Sequence, residues 1–328
     1  MSEKKRSLGQ FFTKKHTWYK NHIKDFFSST QAETIIDPFA GAGDIFSIFP
    51  NYKHIGMDID PTGGWEINDS LLSIPRIEGS CIVTNPPYLS NYSASRKGIL
   101  ENVSKYFDGT RYDDLYQRAI DCCLENNDYL IAILPEIYIN SGRLSNRLVS
   151  LTVIEENIFD DTDCPICIGC FGKEISSEIS IYKNDKYIGN MSYFNSLRPQ
   201  YDKSIDIIFN SKNAYIGLRA VDGVYIDKPV QFLKKDELDY SMDNIKVSSR
   251  LMTFIDIPAI TDIQKDHLID EANNILRILR EETHDIIFSP FKGNNKAGVR
   301  RRRLDYRTAR AILEKSYKNL YIPQTNLF

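Results

Sequence analysis

Residues 34–43 read Thr-Ile-Ile-Asp-Pro-Phe-Ala-Gly-Ala-Gly, and residues 80–88 read Ser-Cys-Ile-Val-Thr-Asn-Pro-Pro-Tyr. In each, a short apolar run leads straight into a loop of Gly or Pro. TIID (34–37), HIGMD (54–58), SCIVT (80–84) and YLIAIL (129–134) are four candidate strands. TRYDDLYQRAIDCCLENN (110–127) reads as a helix between the last two, and residues 16–29 read as another. Strands alternating with helices predict an α/β fold with a mostly parallel, Rossmann-like sheet. IEENIF (154–159), CPICIGCFGK (164–173) and SEISIYK (177–183) follow with short turns between them, which predicts an antiparallel edge.

The texture changes near residue 185. AYIGLRAVDGVYIDKPVQF (214–232) reads as a hairpin turning at Asp222-Gly223. Residues 261–286 form a long amphipathic pattern with Thr261 or Asp262 as N-cap, and Asp305 is placed to cap a helix running to about Asn319. The expectation is two domains, 1–185 and 186–328, the second a smaller mixed α+β unit. No internal repeat or low-complexity tract interrupts them.

At 328 residues, 42% apolar and 26% charged, the composition is that of an ordinary globular protein. No apolar stretch approaches the ~18 residues of a membrane span, and the N-terminus has positive charge without an apolar signal core, so a cytoplasmic protein with reduced cysteines and no membrane partner is expected. The net charge of −3 hides an asymmetry: residues 291–320 carry ten Lys/Arg against two acids, and residues 1–24 carry seven against one. Basic ends on an acidic body suggest polyanion binding, because clustered cations gain by releasing phosphate counterions. The ordinary alternative is a solvated charge run. Four consecutive arginines, Arg300, Arg301, Arg302 and Arg303, fit that alternative poorly, since adjacent like charges repel without a compensating partner.

The glycine-rich turn after Asp37 lets a ligand approach the backbone, and Asp58, at the end of the second strand, occupies the position that receives ribose hydroxyls in nucleotide-type sites. Either feature alone is ordinary loop chemistry; together they favour a nucleoside ligand. At the end of the next strand, Asn85-Pro86-Pro87-Tyr88 presents carbonyls on a backbone with two fixed φ angles.

With these motifs the chain resembles the S-adenosylmethionine-dependent DNA methyltransferases that modify the N6 nitrogen of adenine, in particular the gamma group, whose target-recognition domain is C-terminal. The resemblance covers roughly residues 8–183. It implies a class I methyltransferase domain. Gln10, Phe11 and Thr13 would close over the methionine part of the cofactor. Asp37, Pro38, Phe39, Gly41 and Gly43 form the first cofactor motif, Asp58 binds ribose, Ile59 packs on the cofactor's adenine, and Asp69 and Ser70 form the next motif. Asn85 to Tyr88 are implied to be catalytic: the Asn85 oxygen and the Pro86 carbonyl accept the amino N–H groups and aim the lone pair at the methyl group. The target adenine must leave the duplex, at a cost of a few kcal/mol, and Tyr88 and Phe171 would stack on it. Phe171 could instead be a core strand residue. In the C-terminal part, Lys296, Arg300 to Arg303 and Arg307 are expected to contact double-stranded DNA.

The implied activity is site-specific adenine methylation, of restriction-modification or stand-alone phage type, by a monomer. RNA adenine methylation, protein glutamine methylation and a non-catalytic DNA-binding protein on the same fold are the rivals. The rRNA enzymes typically lack the double proline, and the glutamine enzymes carry a preceding helical domain. Cys164-x-x-Cys167-x-x-Cys170 has no fourth ligand at metal spacing, so small apolar packing residues, and no metal, are expected. The tail Gln324-Thr325-Asn326-Leu327-Phe328 resembles the peptide by which bacterial replication proteins dock on the sliding clamp; the alternative is that Leu327 and Phe328 pack on their own domain.

Overall fold

A computed structural model describes residues 16–159, 162–211, 213–238 and 251–322. Gln10, Phe11 and Thr13, and the tail 324–328, lie outside the described residues. The chain divides into two compact units, residues 1–191 and 192–328.

In the first unit, helix α1 (Asn21–Ser29) precedes β1 (Thr34–Asp37), β2 (Lys53–Asp58), β3 (Glu66–Ile67) and β4 (Ser80–Thr84). Two short helices, α2 (Asn91–Arg96) and α3 (Leu100–Val103), and the longer α4 (Leu115–Asn126) then lead to β5 (Leu130–Pro135). The sheet closes with β6 (Leu148–Ile154), β7 (Ile166–Phe171), β8 (Ser180–Lys183) and β9 (Lys186–Asn190). Its strand order is β3-β2-β1-β4-β5-β7-β6-β8-β9. Strands β1 to β5 run parallel, while β7 is antiparallel to both β5 and β6. All residues of β1, β4 and β5 are buried, as parallel strands covered on both faces must be.

The chain winds outward through β2 and β3 and then returns to place β4 on the other side of β1. That reversal makes a topological switch point between β1 and β4, where open α/β sheets bind ligands at the carboxyl ends of their strands.

The glycine turn leads into a 3-10 helix, Asp44–Ile48. Three expectations need correction in detail. The strand after β5 is LVSLTVI (148–154), whereas residues 155–159 lie outside it. Strand β9 carries the first sheet past residue 185, to Asn190. The 214–232 hairpin exists, but Asp222-Gly223 is not its tip: eleven residues, 220–230, connect its strands.

The second unit comprises α5 (Met191–Ser196), β10 (Ile208–Phe209), β11 (Ile216–Arg219), β12 (Gln231–Lys234), β13 (Met252–Asp256), α6 (Asp262–Glu282), β14 (Ser289–Asn294), β15 (Arg300–Arg303) and α7 (Tyr306–Tyr321). Strands β10-β13-β11-β12 form an antiparallel sheet, and β14 and β15 form a separate hairpin. Thr261 caps α6 through a reciprocal bond with Gln264, and Asp305 caps α7 through the Thr308 N–H.

Candidate active site

Strand register brings the first unit's motifs to one edge. Asp37 pairs with Gly56 on β2, so Asp58 stands two residues further along the same edge, and Thr84 is the last residue of β4 before Asn85. Asp37 is buried; its Oδ1 accepts from the Phe39 N–H at 3.1 Å and the Thr84 hydroxyl at 2.6 Å. Burial pushes its pKa up to about 7, and the neighbouring Asp58 adds to that, against the two hydrogen bonds.

Asp58 fixes the glycine turn. Its Oδ2 accepts from the Gly41 N–H at 2.8 Å and its Oδ1 from the Asp60 N–H at 2.8 Å. From the other side, Trp65 donates its indole N–H to the Gly41 carbonyl at 3.0 Å. The Trp65 ring lies so close to Gly43 and Gly56 that a Cβ on either would stand 2.8 and 2.3 Å from it, and Gly43 has φ +80°. Gly43 therefore serves both the turn and the ring. Trp65 was missed from sequence, because its packing on Gly43, Gly56 and Gly63 shows only once the chain is folded.

Beside this turn lies a cavity of about 470 Å³, within the usual range for small-molecule sites. Phe39, Asp58, Ile59, Asp69, Ser70 and Pro87 contribute to its wall. Ile59 is 53% exposed, an apolar side chain offered to whatever enters. The Asp69 carboxylate accepts from Lys105 Nζ at 2.7 Å and from the Tyr106 hydroxyl at 2.9 Å. The Leu71 carbonyl accepts from Arg118 Nε. Residues 99–106, which sequence reasoning assigned no role, thus form one wall of the cavity and hold Asp69.

At the catalytic candidate, the Tyr88 hydroxyl lies 2.7 Å from Asn85 Oδ1 and 2.8 Å from the Ile133 carbonyl. Its ring meets Tyr116 and Phe159 edge-on, each at 6.5 Å between centroids. Burial holds the Tyr88 phenol far above its ordinary pKa, so it is neutral and can donate.

Phe171 does not join this group. It is fully buried and pairs with Leu130, at the start of β5, whereas the site lies at the end of β5, where Pro135 pairs with Ile166. Because β7 is antiparallel, its end nearest the site is its beginning. The Phe171 ring instead folds back over Gly169, where a Cβ would stand 2.7 Å from it. The aromatic residue beside Tyr88 from this part of the chain is Phe159.

The arginine row also needs correction. Arg300 and Arg302 are buried, at 5% and 1% exposure, and Arg301 and Arg303 alternate with them at the half-exposed level. Only Arg301 and Arg303 of the four keep a partly open surface; Lys296 and Arg307 are exposed. Among the cysteines, Cys167 and Cys170 are buried in β7 and Cys164 precedes it.

No protein-family profile matches the chain. No curated protein matches it either. Solved structures resemble parts of it. The methyltransferase subunit of the type I restriction-modification system from Streptococcus thermophilus is 14% identical, with 54% of this chain covering 48% of that one at a TM-score of 0.38. The type I restriction enzyme EcoKI M protein is 12% identical, with shares of 54% and 48% and a TM-score of 0.37. The type IIL restriction-modification enzyme MmeI, solved in complex with DNA, is 15% identical, with shares of 62% and 41% and a TM-score of 0.32. The chain thus spans about half, or less, of the length of each. At these identities and scores none of the three assigns a chemistry to this chain.

Proposed function

We propose that the chain is an S-adenosylmethionine-dependent methyltransferase acting on the N6 amino group of adenine in duplex DNA. The observation that carries this reading is that Asp58 and the Asn85-Pro86-Pro87-Tyr88 loop follow the carboxyl ends of β2 and β4, with Asp58 and Pro87 lining one cavity. The donor set fits the cofactor: a carboxylate at the end of β2 for ribose hydroxyls, exposed Ile59 for an adenine face, and Asp69 and Ser70 in the same lining. When bound, the cofactor supplies an electrophilic sulfonium methyl.

The chain's own residues would do the rest. An adenine amino group is a weak nucleophile because its lone pair is delocalised into the ring. Asn85 Oδ1 and the Pro86 carbonyl accept its two N–H groups and hold the nitrogen so that the lone pair points outward. This is catalysis by positioning and electrostatics. Tyr88 keeps the Asn85 amide oriented and offers a ring face to the extruded base. The second unit would recognise the duplex.

The direct test is to express the protein in cells lacking adenine methylation and sequence modified bases in their DNA. N6-methyladenine at a defined motif is expected, and none in cells expressing Asn85→Ala. Methyl transfer to RNA or protein, with none to duplex DNA, would overturn the substrate assignment.

A further inference from the structure

The β14–β15 hairpin of the second unit is not a free ribbon. Its far end, residues 294–299, is tied to the loop 222–230 between β11 and β12. The Lys296 N–H donates to the Val224 carbonyl at 2.9 Å, and Lys296 Nζ reaches the Tyr225 hydroxyl at 2.9 Å while lying 4.3 Å from its ring centroid. Below them, Asp222 binds the hairpin through the Arg302 N–H at 2.8 Å and anchors to α6 through two bonds from Arg280, at 2.7 and 2.9 Å. Arg301 Nε donates to the Asp222 carbonyl at 2.7 Å. Two loops from distant parts of the sequence therefore form one braced surface.

The outward side of that surface is apolar and cationic together. Val224, Tyr225, Ile226 and Val299 are 45%, 56%, 73% and 46% exposed. Residues 222–230 and 289–303 hold seven Lys or Arg against Asp222 and Asp227, and the Asp222 carboxylate is taken up by Arg280 and the Arg302 N–H. Arg300 and Arg302 are buried, whereas Lys228, Lys292 and Lys296 are exposed.

We infer that this double loop, rather than the arginine row, is the surface that docks duplex DNA, with Tyr225 and Ile226 against the groove and Lys292 and Lys296 toward phosphates. The inference rests on the DNA substrate proposed above. Charge decides the occupant: a second copy of the chain would bring the same excess of cations, Lys292 and Lys296 among them, against these, whereas duplex DNA is a polyanion and offers apolar edges, such as the thymine methyl, in its grooves. A major groove about 12 Å wide admits a two-stranded ribbon. Bracing through Asp222 lowers the ordering cost of binding.

The test uses the full chain and measures cofactor affinity, affinity for a random-sequence duplex across a salt series, and mass in solution. Lys292→Ala with Lys296→Ala should lower the salt slope by about two and leave cofactor affinity unchanged. Tyr225→Ala should weaken duplex binding several-fold and alter the methylated motif seen by modified-base sequencing. Unchanged slope in the first and unchanged binding and motif in the second would overturn the inference, as would a wild-type dimer that either variant dissociates. A wild-type chain that binds cofactor but no duplex at any salt would instead overturn the DNA substrate itself.

Discussion

The Tyr88 hydroxyl stands 2.7 Å from Asn85 Oδ1, so the last residue of the Asn-Pro-Pro-Tyr loop orients the first. The same hydroxyl reaches the Ile133 carbonyl on β5, which ties the loop to the neighbouring strand. Tyr88→Phe keeps the ring and removes the single O–H that these two acceptors share. It should lower the methyl-transfer rate about fivefold at unchanged cofactor affinity, since a net hydrogen bond is worth about 1 kcal/mol and 1.4 kcal/mol is a factor of ten. Asn85→Ala should abolish most transfer. Single-turnover assays beside calorimetric cofactor titration check both, and near-normal turnover by Asn85→Ala would remove the proposed mechanism.

Asp58 spends its carboxylate on the Gly41 and Asp60 N–H groups. Hydrogen bonds to a charged group are worth about 1.5–3 kcal/mol, so Asp58→Ala should loosen the glycine turn and weaken cofactor binding by tenfold or more. The methyl-transfer rate at saturating cofactor should fall much less. An Asp58→Ala variant with wild-type cofactor affinity would separate this residue from the cavity beside it.

The buried Asp37 predicts a pH signature. Its folded pKa, about 7, lies above the ordinary 3.8, so the folded state holds a proton that the unfolded state releases. The contribution of this residue to stability is therefore full below pH 3.8 and is lost as pH rises towards 7. Asp37→Asn keeps an oxygen for the Phe39 and Thr84 donors and removes the titration. Urea midpoints measured at pH 5 and pH 8 should fall less with rising pH in the variant, the difference being on the order of a few kcal/mol. Parallel pH profiles for the two proteins would contradict this assignment.

Much of the first unit was legible because its signals are local. TIID and SCIVT coincide residue for residue with β1 and β4, since a short apolar run bounded by Gly or Pro leaves a parallel strand few alternatives. What failed depended on partners far away in sequence. LVSLTVI was missed because Ser150 and Thr152 break its apolar run, yet both are buried in a strand covered by its neighbours. Phe171 was placed at the site because motif order was read without strand direction: in an antiparallel strand the residue nearest the site is the first one. Arg300 to Arg303 looked like one charged patch, but period-two alternation turns Arg300 and Arg302 inward. Asp222-Gly223 looked like a turn because its partner Arg280 lies 58 residues away.

That pairing gives the last prediction. Burial would raise the Asp222 pKa, but Arg280 and the Val230 and Arg302 N–H groups hold it below the ordinary range. Its contribution to stability is present above the ordinary carboxylate pKa and is lost as pH falls through the lowered folded value. Asp222→Ala leaves the half-buried Arg280 with Asp285 alone and removes the side-chain bonds to the Val230 and Arg302 N–H groups, while the backbone bonds between Asp222 and β15 remain. Because Arg280 keeps Asp285, the cost should stay below the roughly 3–5 kcal/mol of a buried charge left with no partner, and the second unit should unfold at lower urea concentration. Hydrogen exchange should rise first in residues 222–230 and 294–303, while β1 to β5 of the first unit keep their protection. Asp222→Asn can still accept one bond from Arg280 and should fall between wild type and the alanine variant. Equal stability of all three proteins would show that Asp222 does not brace the double loop.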